Sequence, residues 1–211
     1  MTSKDNDIKK PLLNGLVLAG GKSVRMGQDK SLMQWHGKEQ RYYLTEMLQP
    51  LCNEVFISCR ADQQSEIDSK YNTLTDIQTG MGPLGAIFTA FNKNAETAWL
   101  VIACDLPLLD ISTLEFLVSQ RDTSKIATTF ESPYDGKPEP LITIWEPKSL
   151  AFLQEHISDG FTCPRKALMK NMDSVKIIKA LNPDALMNIN TPEDAEKVKL
   201  ILNKTFHSNA S

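Results

Sequence analysis

Two glycines followed by two cations are the residues in this chain best suited to chemistry: Gly20 and Gly21, then Arg25 and Lys30. Glycine lets the backbone approach a ligand closely and turn freely, so that its N–H groups can face phosphate oxygens. Arg25 can grip phosphate oxygens with two parallel hydrogen bonds, and Lys30 adds a mobile point charge. In chemical terms the set is a triphosphate cradle, although a flexible surface loop with incidental basic residues has the same composition. A second group is Asp105, in Cys104-Asp105-Leu106-Pro107, which directly follows the most hydrophobic run of the chain. One carboxylate together with substrate phosphates is a common way to hold Mg²⁺, which keeps several waters. An aspartate that merely ends a strand before a proline turn is the plainer alternative.

Two tempting motifs fail on their spacing. Gly21-Lys22-Ser23 is not a P-loop, because that motif needs a glycine where Leu16 stands, and Gly15 misses by one place. Gly80-Met81-Gly82-Pro83-Leu84-Gly85 matches a dinucleotide fingerprint, and Asp105 lies downstream where a ribose contact would be sought. Pro83 stiffens that turn, however, and Asp76-Ile77-Gln78-Thr79 makes a poor buried strand before it. His36, in Trp35-His36-Gly37-Lys38, reads as turn chemistry.

These groups need elements to hold them. The runs Leu16–Ala19, Val55–Cys59 and Trp99–Cys104 are continuously apolar, as expected for strands covered on both faces of a parallel sheet. Helical spacing lies between them, at Leu44, Met47, Leu48 and Leu51 and at Leu84, Ile87, Phe88 and Phe91. Ser112 and Glu115 predict a capping box, while Thr191-Pro192 predicts the cap and first residue of a final helix. Ile126–Phe130 and Leu141–Trp145 flank a loop with Asp135-Gly136, which predicts an antiparallel hairpin inserted on the sheet. The expected fold is therefore α/β: three layers, a mainly parallel sheet with a Rossmann-like nucleotide-binding half, and that hairpin. Gly20, Gly21 and Asp105 then share the carboxyl edge, where open α/β sheets bind ligands.

Bulk properties narrow the partners. Hydrophobic residues make up 41% of the 211 and charged residues 23%, which suits one domain with a proper core. The expected boundaries are a loose leader over 1–13, a single domain over 14–202 and a tail over 203–211. A net charge of −3 advertises no field for nucleic acid. The apolar runs are too short for a membrane span. Four cysteines without a CxxC pair, and only three histidines, predict reduced thiols of a cytoplasmic protein rather than a zinc site.

The stretch Leu18 to Lys30 resembles the signature of the molybdenum cofactor guanylyltransferases, within the wider nucleotidyltransferase superfamily. The pattern LAGGxSxRMGxDK is met at Leu18, Ala19, Gly20, Gly21, Ser23, Arg25, Met26, Gly27, Asp29 and Lys30. Gly82-Pro83-Leu84 with Gly85, Cys104-Asp105-x-Pro107, Glu139-Pro140-Leu141 and Asn188-x-Asn190-Thr191-Pro192 follow in the family's order. The resemblance implies transfer of GMP from GTP to the terminal phosphate of molybdopterin, with Mg²⁺ as cofactor and release of pyrophosphate. It also implies work alongside other molybdenum cofactor biosynthesis proteins. By position, Leu18, Ala19 and Gly20 would line the guanine pocket through their backbone, with Gly21 beside them. Arg25 and Lys30 would hold the triphosphate, Asp76 would face the nucleotide, and Asp105 would hold Mg²⁺. Asn188 and Asn190 would lie towards the acceptor, and Arg165, in the loosely matching stretch Ser158–Met169, would meet its phosphate. Sister cytidylyltransferases resemble LAAG where this chain has LAGG, so the methyl missing at Gly20 leaves room for a purine. A device of that size discriminates by about 1–3 kcal/mol. The alternatives are a cytidylyl or sugar-phosphate transferase of the same fold, a non-catalytic nucleotide-binding module, or a nicotinamide-dependent oxidoreductase using Gly80–Gly85.

Overall fold

The structure is a computed structural model that describes residues 12–21, 29–76 and 80–208, with side chains as far as 204. The three apolar runs become strands β1 (Leu13–Leu18), β2 (Val55–Cys59) and β4 (Ala98–Ala103). A short strand β3 (Asn72–Thr75) lies outside β2. The hairpin forms from β5 (Ala127–Glu131) and β6 (Pro138–Trp145), and β7 (Val175–Ile178) pairs parallel with β5. The sheet order is β3-β2-β1-β4-β6-β5-β7. Among these seven strands only β6 runs antiparallel to its neighbours, joining the nucleotide-type half to the rest.

Strand alternation splits the core in two. Val17, Leu100 and Ile102 point to one face, where Leu44 and Leu48 of α1 (Gln40–Leu48) and Leu114 and Leu117 of α3 (Ile111–Ser119) cover them. Leu16, Trp99 and Val101 point to the other face. There they meet Leu84, Ile87 and Phe91 of α2 (Gly82–Lys93), Leu153 of α4 (Ser149–Ser158) and Leu168 of α5 (Pro164–Lys170). Burial on both faces explains why these strands read as continuous apolar runs. The three-layer α/β expectation holds.

Two local details differ from the sequence reading. The cap of α3 is Asp110, whose Oδ1 accepts from the Thr113 N–H at 2.7 Å and from the Ser112 hydroxyl at 2.7 Å. Ser112 thus lies inside the helix, because the aspartate two residues earlier is the stronger acceptor for the exposed first-turn N–H groups. Strand β6 also starts at Pro138 rather than Leu141. Thr191 does cap α6 (Pro192–Ser208): its hydroxyl accepts from the Asp194 N–H, and Asp194 accepts in return from the Asn190 and Thr191 N–H groups. Helix α6 therefore carries regular structure past residue 202. All four cysteines are free thiols. Among the described residues no helix is long and apolar enough to cross a membrane.

Candidate functional site

The chain leaves β1 towards β2 on one side and later returns to β4 on the other, so the strand order reverses between β1 and β4. Leu18 pairs with Ala103 at the carboxyl ends of these two strands. Gly20 and Asp105 each follow within two residues, at the crevice where such sheets bind ligands.

On the β1 side, Gly20 lies over the Cys59–Arg60 peptide. A Cβ there would sit 3.6 Å from the Arg60 nitrogen, 3.7 Å from the Cys59 carbonyl carbon and 3.5 Å from Asp76 Oδ2. A Cβ on Gly21 would meet nothing within 4 Å. Neither glycine has a positive φ. Free turning is therefore not what position 20 or 21 requires; close approach is what a missing side chain provides. Two of the backbone groups expected to greet a ligand are already engaged. The Ala19 N–H donates to the Ser58 carbonyl at 2.9 Å, and the Gly20 carbonyl accepts from Arg60 Nη1 at 2.9 Å.

Asp76 follows β3 directly. Its Oδ1 accepts from the Ser58 hydroxyl at 2.7 Å, which leaves Oδ2 towards Gly20. Burial pushes its carboxyl above the usual range, and the Ser58 hydrogen bond partly offsets this.

On the β4 side, Lys30 brings its ammonium 3.9 Å from Asp105 Oδ2 and donates to Asn190 Oδ1 at 3.0 Å. Three distant segments meet here. The Ile189 N–H donates to the Asp105 carbonyl, which ties the Asn188–Asn190 segment to the end of β4. Asp105 is raised above the usual carboxylate range mainly by burial; Lys30 pulls it down, and the charge of Glu139 pushes it up. Glu139 belongs to β6, which runs antiparallel to β4 with Ile142 opposite Ile102, so its start meets the turn after β4. A carboxylate in this setting gains from a cation. Among the described residues no cluster of three or more His, Cys, Asp or Glu could enclose a metal alone. Asp105 can supply one oxygen, leaving other positions to phosphates and water, which is the coordination Mg²⁺ tolerates.

Arg165 is engaged by other partners. Arg165 donates to Glu139 Oε2 at 2.9 Å and to Asp135 Oδ2 at 3.1 Å, so two carboxylates already hold it. Asn188 is half-buried and Asn190 exposed. Arg25 lies outside the described residues. His36 stacks on Tyr43 and its Nε2 lies 2.8 Å from the Pro107 carbonyl, while Gln40 donates to the Leu106 carbonyl; both brace the Asp105 turn. Sequence reasoning gave no role to Ser58, Arg60 or Gln63, since nothing in their spacing marks them; Glu139 belongs to the Glu139-Pro140-Leu141 match but was given no role of its own.

The sequence profile of the MobA-like NTP transferase domain matches residues 15–175. A Synechocystis protein named molybdenum cofactor biosynthesis bifunctional protein is 36% identical over 189 residues, covering 89% of this chain and 54% of its own length. The chain thus spans about half of that relative. The molybdenum cofactor guanylyltransferase of Pseudomonas fluorescens is 29% identical over 184 residues, covering 84% of this chain and 89% of that one. Among solved structures, molybdopterin-guanine dinucleotide biosynthesis protein A of Archaeoglobus fulgidus superposes with a TM-score of 0.73. The match is 23% identical and covers 90% of this chain and 99% of the other. That likeness concerns the fold.

Proposed function

The chain belongs to the MobA-like NTP transferase family, and from that premise we propose that it transfers GMP from GTP to the terminal phosphate of molybdopterin in the cytoplasm. The observation that carries the reading is the meeting of Lys30, Asp105 and Asn190 at the strand-order reversal, beside the segment at Gly20. The names of the Synechocystis and Pseudomonas relatives support the acceptor and the nucleotide.

An oxygen of the acceptor's ionised phosphate attacks the α-phosphorus of GTP in line. A new P–O bond forms, the bond from the α-phosphorus to the bridging oxygen breaks, and pyrophosphate leaves with the electron pair. No side-chain nucleophile is needed, so catalysis is positioning plus charge neutralisation. Asp105 would hold Mg²⁺, which would supply charge neutralisation at the triphosphate. Lys30 stabilises the charge gathering on the leaving pyrophosphate, and Arg25 shares that role by its place in the signature. Asn190 orients the Lys30 ammonium, and with Asn188 it borders the acceptor side. Arg165 reaches the acceptor phosphate by exchanging the exposed Asp135 for it while keeping Glu139.

Asp76 supports guanine as the base. Guanine offers two neighbouring N–H donors along one edge, which a carboxylate can accept together, and that pairing offsets the burial of Asp76. Leu18, Ala19, Gly20 and Gly21 border the base by close approach rather than through the two backbone groups already engaged. The test is pyrophosphate release from GTP in the presence of molybdopterin and Mg²⁺. Release that needs all three supports the reading; release with CTP but not GTP replaces the base, and none with any triphosphate removes the activity.

A further inference from the structure

Both flanks of the glycine-and-cation segment are held by one short stretch after β2. Arg60 Nη1 donates to the Gly20 carbonyl at 2.9 Å, at the segment's start. Gln63 Nε2 donates to Asp29 Oδ2 at 3.0 Å, at its end. The two anchors are joined, because the Arg60 N–H donates to Gln63 Oε1 at 3.1 Å. Asp29 in turn accepts from the Ser31 N–H at 2.9 Å and the Ser31 hydroxyl at 2.7 Å, fixing the turn that carries Lys30. Gln63 is buried, as is Ser31.

The amide of Gln63 is used in both senses, as acceptor from a backbone N–H and as donor to a carboxylate. Its orientation follows, since the reverse would set an amide oxygen against Asp29. A chain of linked, part-buried hydrogen bonds holds its members in one arrangement. Lys30 is the next residue after Asp29, and its ammonium must stay between Asp105 and Asn190.

We propose that Gln63 is a positioning residue: through Asp29 it sets Lys30 against Asp105, and with Arg60 it fixes the distance between Gly20 and the Lys30 turn. This rests on the nucleotidyl-transfer reading for its catalytic consequence, though not for the clip itself. A misplacement of about 1 Å in a reacting site can lower turnover a hundredfold.

Gln63→Glu keeps the acceptor for the Arg60 N–H but sets a carboxylate against Asp29. Adding Asp29→Asn restores a donor-to-carboxylate pair with its direction reversed, while the asparagine oxygen still accepts from Ser31. The expected result is a loss of kcat of about tenfold or more in Gln63→Glu, with a smaller change in KM for GTP, and recovery of most of that loss in the double variant. A generally weakened fold would not be rescued by a second polar change. Hydrogen exchange of the Arg60 and Ser31 amides, read on the ligand-free protein, tests the clip without any activity. Ser31 should exchange faster in Gln63→Glu and return to the wild-type rate in the double variant. Unchanged exchange and wild-type kcat in Gln63→Glu, or a double variant no better than the single, would overturn the proposal. If the wild type itself releases no pyrophosphate, the nucleotidyl-transfer reading fails, and the exchange rates alone decide for or against the clip.

Discussion

Replacing Gly20 with alanine separates what the glycine does for the fold from what it does for a ligand. The added methyl would stand 3.5 Å from Asp76 Oδ2, 3.6 Å from the Arg60 nitrogen and 3.7 Å from the Cys59 carbonyl carbon. These are ordinary van der Waals contacts, and the backbone there has no positive φ to strain. Alanine restricts the unfolded chain more than glycine does, so the ligand-free variant should gain about 0.4–1 kcal/mol of stability. The bound state should lose. The methyl shields the one oxygen of Asp76 that Ser58 leaves towards Gly20, on the side where a purine would approach. A steric change of this size is worth about 1–3 kcal/mol, or 10–200-fold. Thermal melts and parallel titrations with GTP and CTP measure both effects. The expected outcome is an equal or higher Tm with GTP affinity lowered by that factor and CTP affinity little changed. A melt several degrees lower would refute the packing argument, and an unchanged ratio of GTP to CTP affinity in a stable variant would refute the base argument.

Other outcomes follow from the same geometry. Burial holds the Asp105 carboxyl above the usual range, so at pH values between the unfolded and the folded pKa the folded protein keeps a proton there that the unfolded chain releases. Stability therefore falls as pH rises from the unfolded pKa through the folded one. Asp105→Asn should melt higher than wild type at neutral pH, lose that advantage in acid, and lose Mg²⁺-dependent turnover; a lower neutral Tm would contradict this. Lys30→Ala should lower turnover by about 10²–10³-fold and move the acid limb of the pH profile upward, because the cation that pulls Asp105 down is gone; an unmoved limb would separate Lys30 from Asp105. Far from the site, Arg121 and Glu146 form a two-bond ion pair at 2.6 and 3.0 Å, with side chains 8% and 0% exposed. Glu146→Ala should cost about 3–5 kcal/mol in urea unfolding by leaving Arg121 buried and unpaired, with GTP affinity unchanged in the folded fraction.

The sequence exposes those parts of the fold that burial writes into composition. β1, β2 and β4 are central strands covered on both faces, and their apolar runs are unmistakable. β3 and β7 are the two edges of the sheet; Asn72–Thr75 and Val175–Ile178 are short, partly exposed and lack such a run. The site divides similarly. Gly20 and Asp105 are legible because each directly follows a strand that is itself legible. The Lys30–Asn190 hydrogen bond joins residues 160 positions apart, and no spacing encodes it. Gln63 lies in Ala61–Glu66, a polar stretch that reads as surface, yet it is buried by the turns it joins. Arg165 looks like an available cation in the sequence, whereas Asp135 and Glu139 hold it in the structure.

The most direct measurement is calorimetric titration of the purified protein with GTP, CTP, ATP and NAD, each with and without Mg²⁺, repeated on Asp105→Ala. The expected result is selective GTP binding that strengthens with Mg²⁺ in the wild type and loses that dependence in the variant. Binding of no triphosphate, or GTP binding indifferent to both Mg²⁺ and Asp105, would contradict a nucleotidyltransferase site at the ends of β1 and β4.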